Sequence, residues 1–480
     1  MRFRLALSVF MLVALPAGAV AAELAVATRD ELTAAVRRAQ AGDTIVLRDG
    51  TWADARIVFQ ARGRADAPIT LRAQTPGGVV LTGKSSLRLA GEHLVASGLV
   101  FRGVNGTDTV VEFRNGSLPA NDCRLTDCAI IDCNPPDRKT NTKWVSLYGR
   151  RNRVDHCFIA GKTNLGTTLV VWLDDQPNGH RIDHNHFGPR PPLGENGGET
   201  IRIGTSDWSM HVSRTVVESN FFERCNGEVE IVSNKSCENV YRNNTFFACE
   251  GALTLRHGNR CIVEGNVFLG GGAQHTGGVR VIGEDHRVVN NYFEGLAGTE
   301  SRAALSLMQG VPNSPLAGYF QVKRALVAFN TFVDCASSLV LAQPGRGTSL
   351  PPEEVVCANN LVRAAAGVTA VEAPVEPVRF HSAGNVLQGG TAADAARLGA
   401  RVVAIELTRG TDGLWRPGPT CAANGAAAAG FESVTSDIDG HPRPATGADA
   451  GCDQRSDAPV RWRKIGPGDA GPTWRRQPER

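Results

Sequence analysis

A short phrase recurs between residues 185 and 387: an asparagine, one intervening residue, and then an aromatic or aliphatic residue. Its copies begin at Asn185, Asn220, Asn244, Asn266, Asn291, Asn330, Asn360 and Asn385. Successive asparagines lie 35, 24, 22, 25, 39, 30 and 25 residues apart. The shorter steps match one coil of a solenoid, and the longer steps leave room for inserted loops. The phrase therefore predicts an all-β fold, a single-stranded right-handed parallel β-helix.

Each position of the phrase has a physical role in such a coil. Asparagine tolerates a left-handed turn, and its amide can hydrogen-bond to the equivalent asparagine of the next coil. The aromatic residue two positions later can stack inside the coil. Weaker copies lie earlier, near Asp127 and Asp155. A leucine-rich repeat would require a leucine consensus that is missing here, and a β-sandwich would not sustain one phrase over so many copies.

The two ends of the solenoid differ from its middle. Residues 29–41 place Leu32, Ala35, Val36 and Ala39 at helical spacing, and Gly42 is a stop signal. We expect a short N-terminal helix that caps the open end of the β-helix. Residues 388–455 are rich in alanine and glycine and predict closing coils or a C-terminal cap. Residues 456–480 are interpreted as a basic, solvated tail, so that the β-helix domain spans residues 23–455.

The first 22 residues resemble an export signal. Arg2 and Arg4 precede an apolar run, Leu5–Leu15, and small residues up to Ala22 offer cleavage sites. An uncleaved membrane anchor is the alternative, because the uncharged run is near the lower limit of a span. We favour cleavage, which predicts a protein of the periplasm or the medium with no membrane span in its mature chain.

Cysteine content and net charge narrow the classes of protein to which this chain can belong. The chain has 12 cysteines without a Cys-x-x-Cys motif, which gives little support to a zinc site. Most of them are expected to be small buried residues, although export permits disulfides such as Cys421–Cys452. The formal net charge is only +3, which argues against a nucleic-acid-binding protein.

Four strand-like segments place charged residues on one outer face of the predicted β-helix. Aligning Arg202, Glu230, Arg256 and Arg280 gives coil-to-coil steps of 28, 26 and 24 residues. Alternate residues of a strand share a face, so this alignment predicts two sets. The outward set is Arg202, Glu228, Glu230, Thr254, Arg256 and Arg280. The inward set is Ile201, Ile203, Val229, Ile231, Leu255, Val279 and Val281.

The outward carboxylates have two interpretations. Glu228 and Glu230 can both reach one hard cation such as Ca²⁺, with an amide oxygen from Asn196 as a third ligand. The same pattern also fits a solvated face of glutamate–arginine pairs, and the spacing favours neither reading. Lys235 follows in a turn, where a lysine is usually solvated. A nearby cation and Arg256 would lower its pKa towards that of a useful base.

Four of these segments together resemble polysaccharide lyase family 6, which contains alginate lyases and chondroitinase B. The matching runs are residues 195–204, 228–236, 255–259 and 278–284, and the strongest resemblance covers residues 194–296. The resemblance implies a calcium-dependent lyase on a parallel β-helix. It implies that Lys235 removes the C5 proton of a uronate and that Arg256 acts opposite it, as proton donor or as stabiliser of the leaving oxygen.

The resemblance also implies the remaining site residues. Asn196, Glu228 and Glu230 would bind Ca²⁺, and Glu199 would assist. The implied substrate contacts are Arg280, His257, Arg202 and Glu199. Removing a proton alpha to a carboxylate builds negative charge, which a divalent cation and a held guanidinium would stabilise.

These observations predict an exported, calcium-dependent enzyme that cleaves alginate, an anionic polysaccharide, by β-elimination. Three alternatives stay open. A lyase of the same family could instead cleave dermatan or chondroitin-type chains. A β-helix hydrolase could use Glu228 and Glu230 as acid and base, although Lys235 and Arg256 would then have no role. A non-catalytic carbohydrate-binding β-helix would not need these charges on one face.

Overall fold

The computed structural model describes residues 21–366 and 368–475, and it confirms the predicted parallel β-helix. Three long sheets of 14 strands each form its faces. One coil contributes one strand to each sheet. For example, Glu230–Lys235, Val240–Arg242 and Thr245–Phe247 are followed by Gly251–His257, which lies beside Glu230–Lys235.

The strand bounds follow the coils along the chain. Sheet 1 contains Glu23–Val26, Thr44–Leu47, Ile69–Ala73, Leu94–Ser97, Arg124–Thr126, Arg153–Asp155, Arg181–Asp183, Val216–Glu218, Val240–Arg242, Ile262–Glu264, Arg287–Val289, Leu326–Ala328, Val356–Ala358 and His381–Ala383. Sheet 2 contains Arg56–Arg62, Ser86–Glu92, Thr109–Glu112, Arg114–Asn115, Leu118–Asn121, Lys143–Leu147, Leu169–Val171, Ile201–Ile203, Glu230–Lys235, Gly251–His257, Thr276–Val281, Leu305–Met308, Leu339–Gln343 and Val371–Glu372. Sheet 3 contains Gly50–Ala53, Val79–Thr82, Leu99–Arg102, Ala129–Ile131, Phe158–Ala160, His186–Phe187, Phe221–Glu223, Thr245–Phe247, Val267–Leu269, Tyr292–Glu294, Thr331–Val333, Leu361–Ala366, Val386–Gly390 and Arg401–Val402.

The asparagines of the repeat form a continuous buried ladder. The Oδ1 of Asn266 accepts hydrogen bonds from the backbone N–H of Asn244 at 3.0 Å and from its Nδ2 at 2.9 Å. Asn266 in turn donates its own N–H and Nδ2 to Asn291, each at 3.0 Å. The same bonds link all eight copies, from Asn185 to Asn385. Stacked amides thus satisfy buried polar groups that would otherwise be costly at every corner.

Two residues after six of the eight ladder asparagines, a phenylalanine points into the coil and stacks on its neighbour, as predicted, and Val362 and Leu387 take this place in the last two copies. The stacked rings are Phe187, Phe222, Phe246, Phe268, Phe293 and Phe332, with centroids 4.4–5.0 Å apart. This stack lies within one hydrophobic core that runs the length of the solenoid.

The left-handed turn does not fall on the ladder asparagine, contrary to our expectation. It falls one residue earlier, for example at His184, Ser219 and Asn243, whose φ angles are near +53°. The preceding residue makes the bend between sheets 1 and 3. The ladder asparagine is then free to direct its amide along the row.

The N-terminal helix spans Arg29–Arg38, three residues shorter than the predicted segment. Thr28 and Glu31 form a reciprocal capping box at its start. Leu32, Ala35 and Val36 are buried against the first coils, as their spacing predicts. The helix therefore covers the open end of the core.

At the other end, a second helix, Ala392–Leu398, begins with a capping box at Thr391. Residues 403–475, which we call the strap, then run back along the outer face of sheet 3. Trp415 donates its N–H to the Tyr292 hydroxyl at 3.0 Å, and Trp474 donates its Nε1–H to the Asp127 carbonyl at 2.8 Å. Within the segment predicted as a basic tail, Arg461 and Arg463 are exposed, whereas Ile465 is buried. Residues 476–480 lie outside the described part.

All twelve cysteines are buried free thiols. Their predicted role as small buried residues is confirmed, and the suggested Cys421–Cys452 disulfide is not formed. Cys225 and Cys249 occupy equivalent positions in adjacent coils, where the Cys225 N–H contacts the Cys249 sulfur at 3.4 Å. The 24-residue spacing of these two cysteines is therefore a consequence of the coil repeat.

Within residues 21–366 and 368–475, no helix has the length and apolar character that crossing a bilayer requires. The predicted signal peptide falls almost entirely on residues 1–20, outside the described residues.

We expect Asn266→Leu to lower the free energy of unfolding by at least about 2 kcal/mol, because it leaves the buried Asn244 N–H and amide without an acceptor. Chemical denaturation would measure this loss. The control Asn105→Ala removes an exposed loop asparagine and should change stability by no more than about 0.5 kcal/mol. Equal losses in the two variants would contradict a structural role for the ladder.

Candidate active site

The candidate residues lie on the outer face of sheet 2, on the strands Ile201–Ile203, Glu230–Lys235, Gly251–His257 and Thr276–Val281. The predicted register of these strands is wrong. Arg202 lies beside Ser233, which lies beside Thr254, which lies beside Arg280. The predicted register has Glu230 and Arg256 where Ser233 and Thr254 lie in this row.

Bulges explain the error. The pairing shifts between Glu230 and Val232, and again between Asn234 and Lys235. Such an extra residue moves the side chains that follow it relative to the neighbouring strand. In consequence Val232 and Leu253 occupy the inward row with Ile201 and Val279. Val229, which we expected inside, is half-buried and lines an outer cavity.

Glu230 is the centre of a buried ion-pair network. The Arg280 Nη2 donates to its Oε1, and the Ser233 hydroxyl donates to its Oε2 at 2.5 Å. The Arg256 Nε lies 3.8 Å from the same Oε1. Both Glu230 and Arg280 are less than a tenth exposed. The Glu230 carboxylate therefore holds two guanidinium groups, those of Arg256 and Arg280, beside it on the same face.

Glu228 has a different environment. Its Oε2 accepts the backbone N–H groups of Gly197 at 2.8 Å and Gly198 at 3.3 Å. Burial, together with repulsion from Glu199 and Glu230, raises the pKa of Glu228 to about 7. Glu199 is itself buried, and its only side-chain bond in the described structure is from the Thr167 hydroxyl at 3.3 Å. The carboxyl groups of Glu228 and Glu199 therefore lie close together without a cationic side chain hydrogen-bonded to either of them in the described structure.

Asn196 is exposed and shares an outer cavity of about 380 Å³ with Glu228. Carboxylate and amide oxygens around an excess of negative charge are the donor set that a hard cation such as Ca²⁺ prefers. The residues present thus fit a cation. Glu230, the third predicted ligand, already pairs with Arg280, so a bound cation would share its carboxylate with that arginine.

Lys235 ends its strand directly beside His257. Its ammonium group makes no hydrogen bond or ion pair with any residue that the structure describes, and its side chain is half-buried. Burial, together with the charges of Arg256 and Lys235, lowers the pKa of His257 to about 3. His257 is therefore neutral near pH 7 and positions its neighbours, whereas the Lys235 amine has no competing partner.

Arg256 is held by a segment that the sequence did not connect with the site. Its Nη1 and Nη2 donate to the carbonyls of Gly318 at 2.9 Å and Ala317 at 3.1 Å. Its guanidinium lies 4.3 Å from the centre of the Tyr319 ring. Burial lowers the pKa of Arg256. These partners belong to the coil between Asn291 and Asn330, which is the longest step of the repeat. That extra length was the one sign in the sequence that this coil carries an inserted loop able to reach the site.

Arg202 lies at the edge of this group, with its guanidinium 5.6 Å from the Trp172 ring. Trp172 stacks on Tyr148, with ring centroids 5.8 Å apart. Sequence analysis also missed this aromatic pair. The structure thus brings Lys235, Arg256, His257, Glu230 and Arg280 together on one face, with Glu228 and Glu199 beside them.

This arrangement places a free amine and a fixed guanidinium on one open surface, together with further cationic groups that suit a carboxylate. Such a surface can take a proton from an anionic substrate and stabilise the charge that develops.

Comparisons with known proteins agree with this chemistry. The sequence model of the family described as chondroitinase B matches residues 26–375. Among solved structures, the chain is similar to the PL6 family alginate lyase AlyGC, with 40% identity and a TM-score of 0.83. That match covers 95% of this chain and 59% of AlyGC, so the chain spans about three fifths of that relative.

Two further structures match. A mannuronic acid specific polysaccharide family 6 lyase from human gut microbiota is 33% identical with a TM-score of 0.72, covering 80% of this chain and 92% of that one. The PL6 family polysaccharide lyase Pedsa3628 from Pseudopedobacter saltans is 26% identical with a TM-score of 0.68, covering 80% and 97%. No curated protein sequence matches the chain.

The raised pKa of Glu228 predicts a pH-dependent stability. Between pH 4.5 and 7 the folded carboxyl holds a proton that the unfolded chain has lost, so stability falls as pH rises and then stays low. The measured quantity is the free energy of unfolding of Glu228→Gln minus that of the wild type, in the presence of a chelator. This difference should be about 2 kcal/mol larger at pH 8 than at pH 5. Denaturant titrations at both pH values would measure this difference.

The same substitution at Glu238 is the control. Arg214 and Arg260 lower the pKa of Glu238, so the folded protein carries this carboxyl in its ionised form at both pH 5 and pH 8. Glu238→Gln should show no such pH-dependent gain. An equal gain at both positions would argue against the buried, repelled carboxyl at Glu228.

Proposed function

We propose that this chain, which belongs to polysaccharide lyase family 6, is an exported, calcium-dependent lyase that cleaves alginate by β-elimination. The observation that carries the proposal is the Lys235 amine, which has no partner among the described residues, on the same face as the fixed Arg256 guanidinium. Export rests on the signal-like residues 1–22, and alginate rests on the relatives described as alginate or mannuronic acid lyases.

Lys235 is the proposed base. Its Nζ takes the C5 proton of a uronate, and the electron pair of that C–H bond forms the C4=C5 double bond as the C4–O4 bond breaks. Lys235 can serve because no carboxylate among the described residues stabilises its protonated form.

Arg256 faces the leaving oxygen in this proposal. The two carbonyls and the Tyr319 ring fix the direction of its guanidinium, so little reorganisation is needed when negative charge develops on O4. Arg280 and Arg202, with His257, would contact the substrate carboxylates. The departing O4 must gain a proton, either from Arg256 or from the Lys235 ammonium formed in the first step.

Asn196, Glu228 and Glu230 are the proposed calcium ligands, with Glu199 adding to the local negative charge. When bound, Ca²⁺ would neutralise the uronate carboxylate and stabilise the charge that builds up beside it. The same ion would relieve the repulsion that raises the pKa of Glu228.

Cleavage of dermatan or chondroitin-type chains is the second candidate, because the matching family model is described as chondroitinase B. A hydrolase is disfavoured because both oxygens of the Glu230 carboxylate are engaged, one by Arg280 and the other by Ser233, and because Lys235 and Arg256 would have no role in it.

The decisive measurement is far-ultraviolet absorbance of polysaccharide incubated with the protein, because elimination creates a conjugated C4=C5 bond and hydrolysis does not. We expect a rise on alginate that a chelator abolishes and added calcium restores. A rise only on dermatan sulfate or chondroitin would keep the mechanism and change the substrate. Release of reducing ends without the absorbance would refute a lyase.

Substitution of the two proposed catalytic residues gives a second prediction. Lys235→Met should lower kcat at least about 100-fold through loss of the general base, and Arg256→Ala should do so through loss of charge stabilisation. The same assay measures both. The control Lys464→Met changes a half-buried lysine of the strap and should keep wild-type activity. An active, folded Lys235→Met enzyme would remove the base from the mechanism.

A further inference from the structure

Outside the candidate site, a groove with a volume of about 680 Å³ lies near the N-terminal end of sheet 2. Four cations line it, namely Arg56, Arg88, Arg114 and Lys143, against two carboxylates, Asp108 and Glu112. We call it the distal groove. Its walls are predominantly polar, which suits a charged, hydroxylated ligand.

The cations of the distal groove are only partly neutralised. Arg114 pairs with Glu112 at 2.7 Å, and Arg88 lies 3.7 Å from the other oxygen of the same carboxylate. Arg56 is exposed and has no ion pair among the described residues. One glutamate thus serves two arginines, and the groove keeps an excess of positive charge that attracts an anion.

The groove and the candidate active site share one face. The strand register runs from Arg88 to Glu112, Ser146, Val170 and finally Arg202. These residues occupy equivalent positions on consecutive coils, so the line from Arg88 to Arg202 is four steps of about 4.8 Å, or roughly 19 Å. An extended polymer lying along the solenoid axis would meet both regions.

The surface between them is continuous. Arg114 lies 3.8 Å from the centre of the Tyr148 ring, Tyr148 stacks on Trp172, and Arg202 lies over Trp172. Lys143 lies between the groove and Arg202, and its pKa is lowered by burial and then by the charge of Arg202. Cationic groups therefore face one another along this surface without enough carboxylates to separate them.

We propose that the distal groove binds a second stretch of the same polyuronate chain, several sugar residues away from the bond that is cleaved. The proposal rests on the proposed function for the identity of the polymer. Its physical basis is the excess of cations on the face that also carries the candidate site, which suits a chain with one carboxylate on every sugar. The consequence is a preference for long chains over short oligosaccharides.

The test variant is Arg56→Gln together with Arg88→Gln, which removes two exposed charges that the core does not need. The matched control, Arg461→Gln with Arg463→Gln, removes two exposed charges from the strap on another sheet. KM is measured on alginate polymer and on a uronate trisaccharide, which is too short to reach from the cleavage point to Arg88.

We expect the ratio of polymer KM to trisaccharide KM to rise about two- to tenfold in the groove variant, because exposed charge pairs each contribute modestly. The effect should fade as salt is raised. The control should keep the wild-type ratio. An unchanged ratio in the groove variant would overturn the proposal.

Electrophoretic retardation in a gel that contains alginate, compared with an alginate-free gel, tests the groove without catalysis. The groove variant should be retarded less than the wild type and the control. Equal retardation of all three proteins overturns the distal groove, even if the enzyme is active. Failure of the wild type to cleave any uronate polymer, together with a selective loss of retardation, would reject the proposed function and keep the groove.

Discussion

The asparagine ladder is the constraint on which the rest of this structure depends. Each amide is buried, and each needs the amide of the next coil as its partner. A coil that slipped by one residue would leave several buried polar groups unpaired, at a cost that a solenoid of marginal stability cannot bear. The ladder therefore fixes one corner of every coil. Loops and bulges elsewhere can vary without disturbing the stacking, and the face that carries the candidate site makes use of that freedom.

The periodic part of the molecule could be predicted from the sequence because a repeated physical requirement leaves a repeated pattern. The Asn220–Phe222 phrase specifies both the buried amide and the stacked ring wherever it recurs. The helix Arg29–Arg38 was predictable for a similar reason, since its capping residues and apolar spacing are local. The left-handed position was misplaced by one residue, because either of two neighbouring residues can make the bend.

The site was predicted as a set of residues more successfully than as a geometry. Glu230, Arg256 and Arg280 do lie on one face, but the bulges around Val232 and Lys235 change which residues lie side by side. A bulge is one extra residue with no distinctive composition, so strand spacing alone cannot locate it. The carbonyls of Ala317 and Gly318 were missed because they come from a loop of a distant coil. A backbone carbonyl carries no residue-type signal at all.

The strap gives this solenoid a property that open repeat proteins lack. In a linear stack each coil contacts only its neighbours, so the ends can fray independently and stability is a sum of local terms. Here Thr473 and Trp474 bond to Asp127, 346 and 347 positions away in sequence, while Cys452 bonds to Thr331 much further along the stack. The strap thus works as a tie across many coils, and opening the early coils requires releasing the last residues of the strap. The strap therefore couples the unfolding of coils that are not neighbours in the stack, which contacts between adjacent coils alone would not do.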